Sequence, residues 1–281
     1  MRIIAGRLKN MPLDAPKSGT RPTTDRTKEA VFSHLKSIGA LDGGAVLDLF
    51  AGSGALGFEA LSRGADQAVF VDASAGAVAC LRRSLATARK NRSWNEDGLS
   101  ARIVRGTAQS YIAKLTKAHS GEAKNAEQKA DEGSGALAAA GPRFSVVFLD
   151  PPYAFSDAGF NCLLAAVASS GALEDSCVMV VERSSRSAQP APPAGWETEM
   201  TRSYGETVIS YLSAAEWKRG RGGIRSHGGV RSCALRWQTD AAGACSPTES
   251  QALKAARRSG SVPDERWSPV DGKPGRNPMM R

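Results

Sequence analysis

The chain has 281 residues, 41% of them hydrophobic, and a formal net charge of +9. That length suits one large domain or two smaller ones, in the ordinary globular range of composition. No run approaches the ~18 apolar residues of a membrane span. The opening MRIIAGRLKN lacks the long apolar core of a secretory signal. Five scattered cysteines without a CxxC pair, with only three histidines, argue against a disulfide scaffold or a zinc site and suit a reducing cytoplasm.

Residues 24–38 are predicted as a helix, with Thr24 or Asp25 as its cap and Val31, Leu35 and Ile38 at helical spacing. The apolar run 45–50 (AVLDLF) is predicted as the first strand, followed by the glycine-rich AGSGALG and a helix that stops at Gly64. A second strand (68–72) and a second helix (74–89, with Val78, Leu81 and Leu85 on one face) follow. Then come a third strand (101–106), a short helix (108–115), a fourth strand (144–150), a helix (157–168) and a fifth strand (177–182). Residues 196–202 and 207–213 flank Tyr204-Gly205 and are predicted as an antiparallel hairpin. Strands alternating with helices imply right-handed βαβ units, a mostly parallel sheet and helices on both faces. With the hairpin the sheet would have seven strands.

Two segments fall outside this plan. Residues 117–142 are rich in Ala, Gly, Glu and Lys and are expected to be a flexible surface insertion. Residues 216–281 are expected to be a disordered basic tail, since positions 217–281 hold only six Val, Ile, Leu or Phe among 65. The expected divisions are therefore 1–38, an N-terminal extension and helix; 39–215, the catalytic domain; and 216–281, the tail. Charge follows the same division. Residues 1–40 hold eight Lys/Arg against three Asp/Glu, residues 41–216 sixteen against twenty, and residues 217–281 thirteen against five. A mildly acidic body with basic ends points toward a polyanion such as nucleic acid.

Gly52, Gly54 and Gly57 match GxGxxG between a strand and a helix, where backbone N–H groups can approach a ligand closely. That pattern suits NAD, FAD or S-adenosylmethionine. Asp72 ends the next strand, placed to accept hydrogen bonds from a ribose diol. Asp48 sits inside the first strand, where it can receive an amino-acid ammonium or brace the loop.

The string FLDPPYAF (148–155) ends a buried strand with an acid, two rigid residues and an aromatic. An exocyclic amine of a nucleobase is a poor nucleophile because its lone pair is delocalised into the ring. Asp150 offers a carboxylate and Pro151 a carbonyl to the two N–H hydrogens. Pro152 restricts Pro151 to an extended conformation, and Tyr153 offers a ring for a flipped base, a stacking contact of roughly 1–3 kcal/mol. No metal is needed for such a reaction, and none is expected.

At these residues the chain resembles class I S-adenosylmethionine-dependent methyltransferases that modify exocyclic amines, and in particular the RsmD family of 16S rRNA guanine-N2 methyltransferases. The likeness is carried by MRIIAG (1–6), RPTTDRTKEAVF (21–32), VLDLFAGSGALGFEALSRGA (46–65), FLDPPY (148–153) and YGET (204–207), and spans about residues 1–215. It implies a Rossmann-like fold, S-adenosyl-L-methionine as cofactor and a cytoplasmic, monomeric enzyme acting on 16S rRNA or the assembling small ribosomal subunit. By position, Asp48, Phe50, Ala51, Gly52, Ser53, Gly54, Asp72, Ala73, Thr107 and Ala108 would hold the cofactor. Asp150, Pro151, Pro152 and Tyr153 would hold the guanine. Arg2, Arg7, Lys9, Arg21, Thr23, Arg26 and Lys28 would meet RNA, with Asp25 near them. Thr107 stands where relatives commonly place an acid for the adenine amine. The insertion and the basic tail are outside the family pattern. Other readings remain: a DNA amino-methyltransferase, which usually needs a folded target-recognition region; a nicotinamide oxidoreductase, which leaves Asp-Pro-Pro-Tyr unexplained; and a silent RNA-binding assembly factor.

Overall fold

The computed structural model describes residues 1–15, 25–120, 141–152 and 154–216, together with the strand residues 237–239 and 245–247. Arg21, Thr23 and Tyr153, the greater part of the 117–142 insertion and most of the tail lie outside the described residues.

The body of the chain is built on one seven-stranded sheet. Its elements are α1 (Asp25–Ser37), β1 (Ala45–Asp48), α2 (Ala55–Arg63), β2 (Gln67–Asp72), α3 (Ala75–Ala88), α4 (Arg92–Glu96), β3 (Ser100–Arg105), α5 (Ala108–His119), β4 (Phe144–Leu149), α6 (Asp157–Ala168), β5 (Leu173–Ser184), β6 (Trp196–Tyr204) and β7 (Thr207–Ala214). The strand order is β3-β2-β1-β4-β5-β7-β6. The first five strands pair in parallel, and β7 inserts antiparallel between β5 and β6. The order reverses between β1 and β4, so the crevice beyond the carboxyl ends of those strands is where a ligand sits in such sheets. In the tail, β8 (Trp237–Thr239) and β9 (Cys245–Pro247) pair antiparallel in a unit of their own. No helix among the described residues is long and apolar enough to cross a membrane.

Central strands are mostly apolar and buried because helices cover both faces. Every residue of β4 is buried. On one face Phe32, Phe58, Phe70, Phe148, Val180 and Tyr211 form a core; on the other Leu47, Leu149, Leu163, Leu164, Met179 and Val181 form a second. Helix starts follow local chemistry: the side chains of Ser74, Thr107 and Ser156 each accept a backbone N–H three residues on.

Residues 1–13 form a packed arm. The Ile3 N–H donates to the Met11 carbonyl and the Asn10 N–H to the Ile3 carbonyl, both at 3.0 Å, across a turn with Asn10 at φ 67°, and Ile3, Leu8, Met11 and Leu13 are buried. The arm is tied to α2. Buried Glu59 accepts the N–H groups of Ile4 and Ala5 at 2.8 and 3.1 Å. Gly6 lies at φ +86°, and a Cβ there would stand 1.9 Å from the Ser62 carbonyl oxygen, so only glycine lets the arm approach this closely.

Most predicted elements agree with the observed ones within two residues. Three differ. α5 extends to His119, so the first residues of the predicted insertion are helical. β5 starts at Leu173 rather than Cys177. The helix α4 is unpredicted; Asn91 caps it and Trp94 anchors it in the core.

Candidate active site

Three parallel strands deliver three acids to one place. Side chains alternate along a strand, and Val46, Phe148 and Val180 all point into the same core. Two residues on from each stand Asp48, Asp150 and Glu182, on that same face. β4 and β5 stay in register up to Leu149 opposite Val181. One residue further along both strands, Asp150 stands beside Glu182.

The glycine loop is built around two carboxylates. Asp48 is buried, and its Oδ2 accepts the Gly57 N–H at 3.2 Å. Burial pushes its carboxyl up to about 7, with the nearby Asp72 charge adding to the rise and the Gly57 and Phe50 N–H groups opposing it. Asp72 Oδ2 accepts the Gly52 N–H at 2.8 Å, and Oδ1 accepts the Ser74 N–H at 2.7 Å. These bonds aim Asp72 at the loop, and each oxygen keeps a lone pair for a ribose hydroxyl.

The loop glycines serve different ends. At Gly57 a Cβ would press to 2.3 Å from the Phe70 ring, so glycine there permits close packing of helix on sheet. At Gly52, with φ +52°, a Cβ would meet only the Phe50 carbonyl oxygen at 3.9 Å. The chain leaves that side open, and an adenosyl cofactor with a ribose diol fits the pinned Asp72 beside it. Ala51 donates its N–H to the Val71 carbonyl at 3.1 Å, and Gly54 to Ala51 at 2.6 Å, which holds the turn. Ser53 Oγ reaches Met1 Sδ at 3.4 Å, so the arm touches the loop. Ala73 and Thr107 are exposed at the ends of β2 and β3, and Ala108 is buried. The Thr107 hydroxyl oxygen accepts the Ser110 N–H at 3.2 Å as the cap of α5, leaving its O–H to donate.

At the end of β4, Pro151 is buried and Pro152 exposed. The Phe155 N–H donates to the Pro152 carbonyl at 2.8 Å, which closes a tight turn. Burial raises the Asp150 carboxyl well above the usual range, with Glu182 and Asp48 adding like-charge repulsion. A cavity here is lined by Asp150, Pro151, Glu182, Arg183, Ser184, Ser187 and Thr207. Thr207 closes the YGET string, so that motif meets the Asp-Pro-Pro turn across the sheet. Phe155 packs edge-on against Phe50, ring centres 5.5 Å apart, joining the turn to the glycine loop. Arg183 holds the same segment from below: its guanidinium donates to Asp157 Oδ1 at 2.5 Å and lies 4.8 Å from the Phe160 ring centre.

The residues expected to meet RNA separate into two groups. Arg2, Lys9 and Arg26 are exposed. Arg7 is engaged within the protein, donating to the Leu61 and Ala65 carbonyls at 2.9 and 2.6 Å and to Asp66. Lys28 has no exposed surface; its ammonium donates to the Arg2 carbonyl and pairs with Asp25. As arranged, these two cations serve the arm rather than a surface. Glu182 and Phe155 are site residues that motif reading passes over. An acid at the end of strand five is the signal that could have found the first.

Residues 1–108 and 100–213 match the family model described as "Conserved hypothetical protein 95". Ribosomal RNA small subunit methyltransferase D of Escherichia coli strain K12 is 30% identical over 211 residues, which cover 74% of this chain and 87% of the relative. The chain belongs to this family of rRNA methyltransferases. YlbH of Bacillus subtilis is likewise 30% identical over 211 residues, 75% of this chain and 97% of its own. The solved structure of yhhF from Escherichia coli superposes with a TM-score of 0.58 at 28% identity, covering 76% of this chain and 97% of that one. The family's methyltransferase fold is thus spanned almost whole, and the glycine loop, the β2 acid and the Asp-Pro-Pro turn all lie inside the matched residues.

Proposed function

We propose that the protein uses S-adenosyl-L-methionine to methylate the exocyclic N2 amine of a guanine in 16S rRNA of the small ribosomal subunit. The carrying observation is Asp150, a largely enclosed carboxylate at the switch point of the sheet, on the same face as the acid that braces the glycine loop. The name of the Escherichia coli relative supports an rRNA substrate. The basic ends of the chain support a polyanion partner.

The cofactor would be held by the Asp48–Gly54 loop, Asp72, Ala73, Thr107 and Ala108, and it supplies an electrophilic sulfonium methyl. Asp150 and the Pro151 carbonyl accept the two N–H hydrogens of the target amine, which draws the nitrogen toward tetrahedral geometry. When the methyl moves to N2, a proton must leave that nitrogen. Asp150 is placed to take it, and its raised proton affinity suits that role. The Pro151–Pro152 turn holds the amine in line, so most of the acceleration comes from positioning and preset hydrogen bonds. Tyr153 would stack on the base, and Arg2, Lys9, Arg21, Thr23 and Arg26 would meet the RNA.

Radiolabelled S-adenosylmethionine, offered with unmodified small subunits, naked rRNA and duplex DNA, tests this reading. The expected product is label in rRNA, recovered as N2-methylguanine. Label in DNA, or in another base, overturns it. Asp150→Ala is expected to abolish transfer while cofactor binding by calorimetry stays within about twofold of the parent protein. Loss of both together would sink the role given to Asp150.

A further inference from the structure

Among the residues lining the Asp150 cavity, Glu182 has no part in holding the amine, yet it stands beside Asp150 on the next strand. Neighbouring strands lie roughly 4.8 Å apart, near enough for side chains from both to converge on neighbouring donors of one base edge. The cation next in sequence is committed elsewhere, since Arg183 points to the opposite face and holds Asp157 and Phe160. The other polar liners, Ser184, Ser187 and Thr207, carry hydroxyls that both donate and accept, and so discriminate weakly. Among the liners besides Asp150 itself, Glu182 is the acceptor-only side chain as long as it is ionised.

Resting on the reading above, we propose that Glu182 is the specificity-determining residue of the site, accepting the N1–H of the flipped guanine next to the amine held by Asp150. The chemistry of the bases makes such a residue decisive. In guanine the reactive N2 amine is flanked by N1–H, a donor. In adenine the N6 amine is flanked by N1, and in cytosine the N4 amine is flanked by N3; both neighbours are acceptors. A carboxylate beside the amine site therefore bonds guanine and confronts a lone pair in either of the others. The same juxtaposition explains why Asp150 senses the charge of Glu182. A base edge that brings two donors side by side would relieve the repulsion between the two carboxylates.

The base 2-aminopurine separates the two contacts, because it keeps the 2-amine but has a bare N1. Small subunits are reconstituted with rRNA carrying guanine or 2-aminopurine at the methylated position, and kcat/KM is measured for each with the full-length enzyme. The wild-type enzyme should prefer guanine by at least about 10,000-fold, the lower end of the range for sites that lose a required N–H partner. Glu182→Gln, whose amide can turn a donor toward the bare N1, should reduce that preference to about tenfold or less. Glu182→Asp keeps the acceptor and should hold the preference above about 100-fold even while both rates fall. Wild-type enzyme that methylates both bases equally overturns the assignment without any variant. So does a Gln variant with unchanged preference, or an Asp variant whose preference collapses. Failure of the underlying reading looks different: wild-type enzyme would label no guanine in small subunits at all, and the assignment would fall with it.

Discussion

At the scale of single residues the site depends on where protons reside. Asp48 titrates near 7 in the folded chain against an ordinary value of 3.8, chiefly because it is buried. Between those values the folded protein holds a proton that the unfolded chain has released. The stabilising effect of this proton is fully present below about pH 4 and is lost as pH rises through 7, where the buried carboxylate costs about 4 kcal/mol. The nearby Asp72 acts in the same direction when charged. Asp48→Asn keeps an oxygen for the Gly57 N–H and removes the titration. We expect the unfolding free energy of this variant to vary less between pH 5 and 8 and to exceed that of the parent at pH 8. Chemical denaturation at several pH values checks this, and parallel pH profiles for the two proteins would refute it. A cationic ammonium at Asp48 favours the charged carboxyl, so binding of S-adenosylmethionine should tighten from pH 6 to 8 in the parent and not in the Asn variant.

At the scale of elements, the N-terminal arm and α2 act as one piece. Glu59 is shared by the Ile4 and Ala5 N–H groups and by Arg63, whose guanidinium also reaches Glu29 on α1. Arg7 closes the other end on the carbonyls that end α2. Because α2 begins at the glycine loop, loosening the arm loosens the cofactor site. Glu59→Ala leaves two N–H groups and a nearly buried guanidinium short of partners, and should cost about 3–5 kcal/mol. Glu59→Gln, which retains an acceptor, should cost less. Unfolding curves and cofactor titration of both variants measure this, and an Ala variant as stable as the parent would refute the shared-piece view. Strand and helix positions were legible in the sequence because buried runs and 3.6-residue spacing report directly on a covered parallel sheet. The glycine loop, Asp72 and Asp150 were legible because their motifs sit at strand ends. The fate of Lys28 and Arg7 was not, since a basic residue near a terminus looks alike whether it faces solvent or clasps a carbonyl. Helix α4 escaped because five residues are too short for a period. Glu182 escaped because its meaning lies in the register between β4 and β5, which no single segment records.

At the scale of the whole molecule, charge and fold divide the work. The sheet is complete at β7, which ends with Ala214. Residues 41–216 hold sixteen Lys/Arg against twenty Asp/Glu, so the body that carries the site is mildly repelled by a polyanion. Attraction to RNA must then come from the ends, where residues 1–40 carry a net +5 and residues 217–281 a net +8. The two ends should contribute differently. Arg2, Lys9 and Arg26 stand exposed on the folded body, so phosphate contacts from them would set register on the target. Residues beyond 216 follow the last strand of the sheet, and phosphate contacts from them would add affinity without sequence information. A chain ended after Glu216 is therefore expected to fold with a stability within about 0.5 kcal/mol of the full chain, as for changes that touch no core or cap, and to keep its cofactor affinity. Its binding to rRNA should weaken at low salt, and the slope of log K against log salt should become shallower by about 0.7–0.9 for each phosphate no longer neutralised. Equal slopes would mean that the terminal charges do not touch RNA, and unfolding on truncation would make residues 217–281 part of the folded body. Methylation of the target at saturating substrate should persist, because every group assigned to the amine, the base edge and the cofactor lies before residue 208.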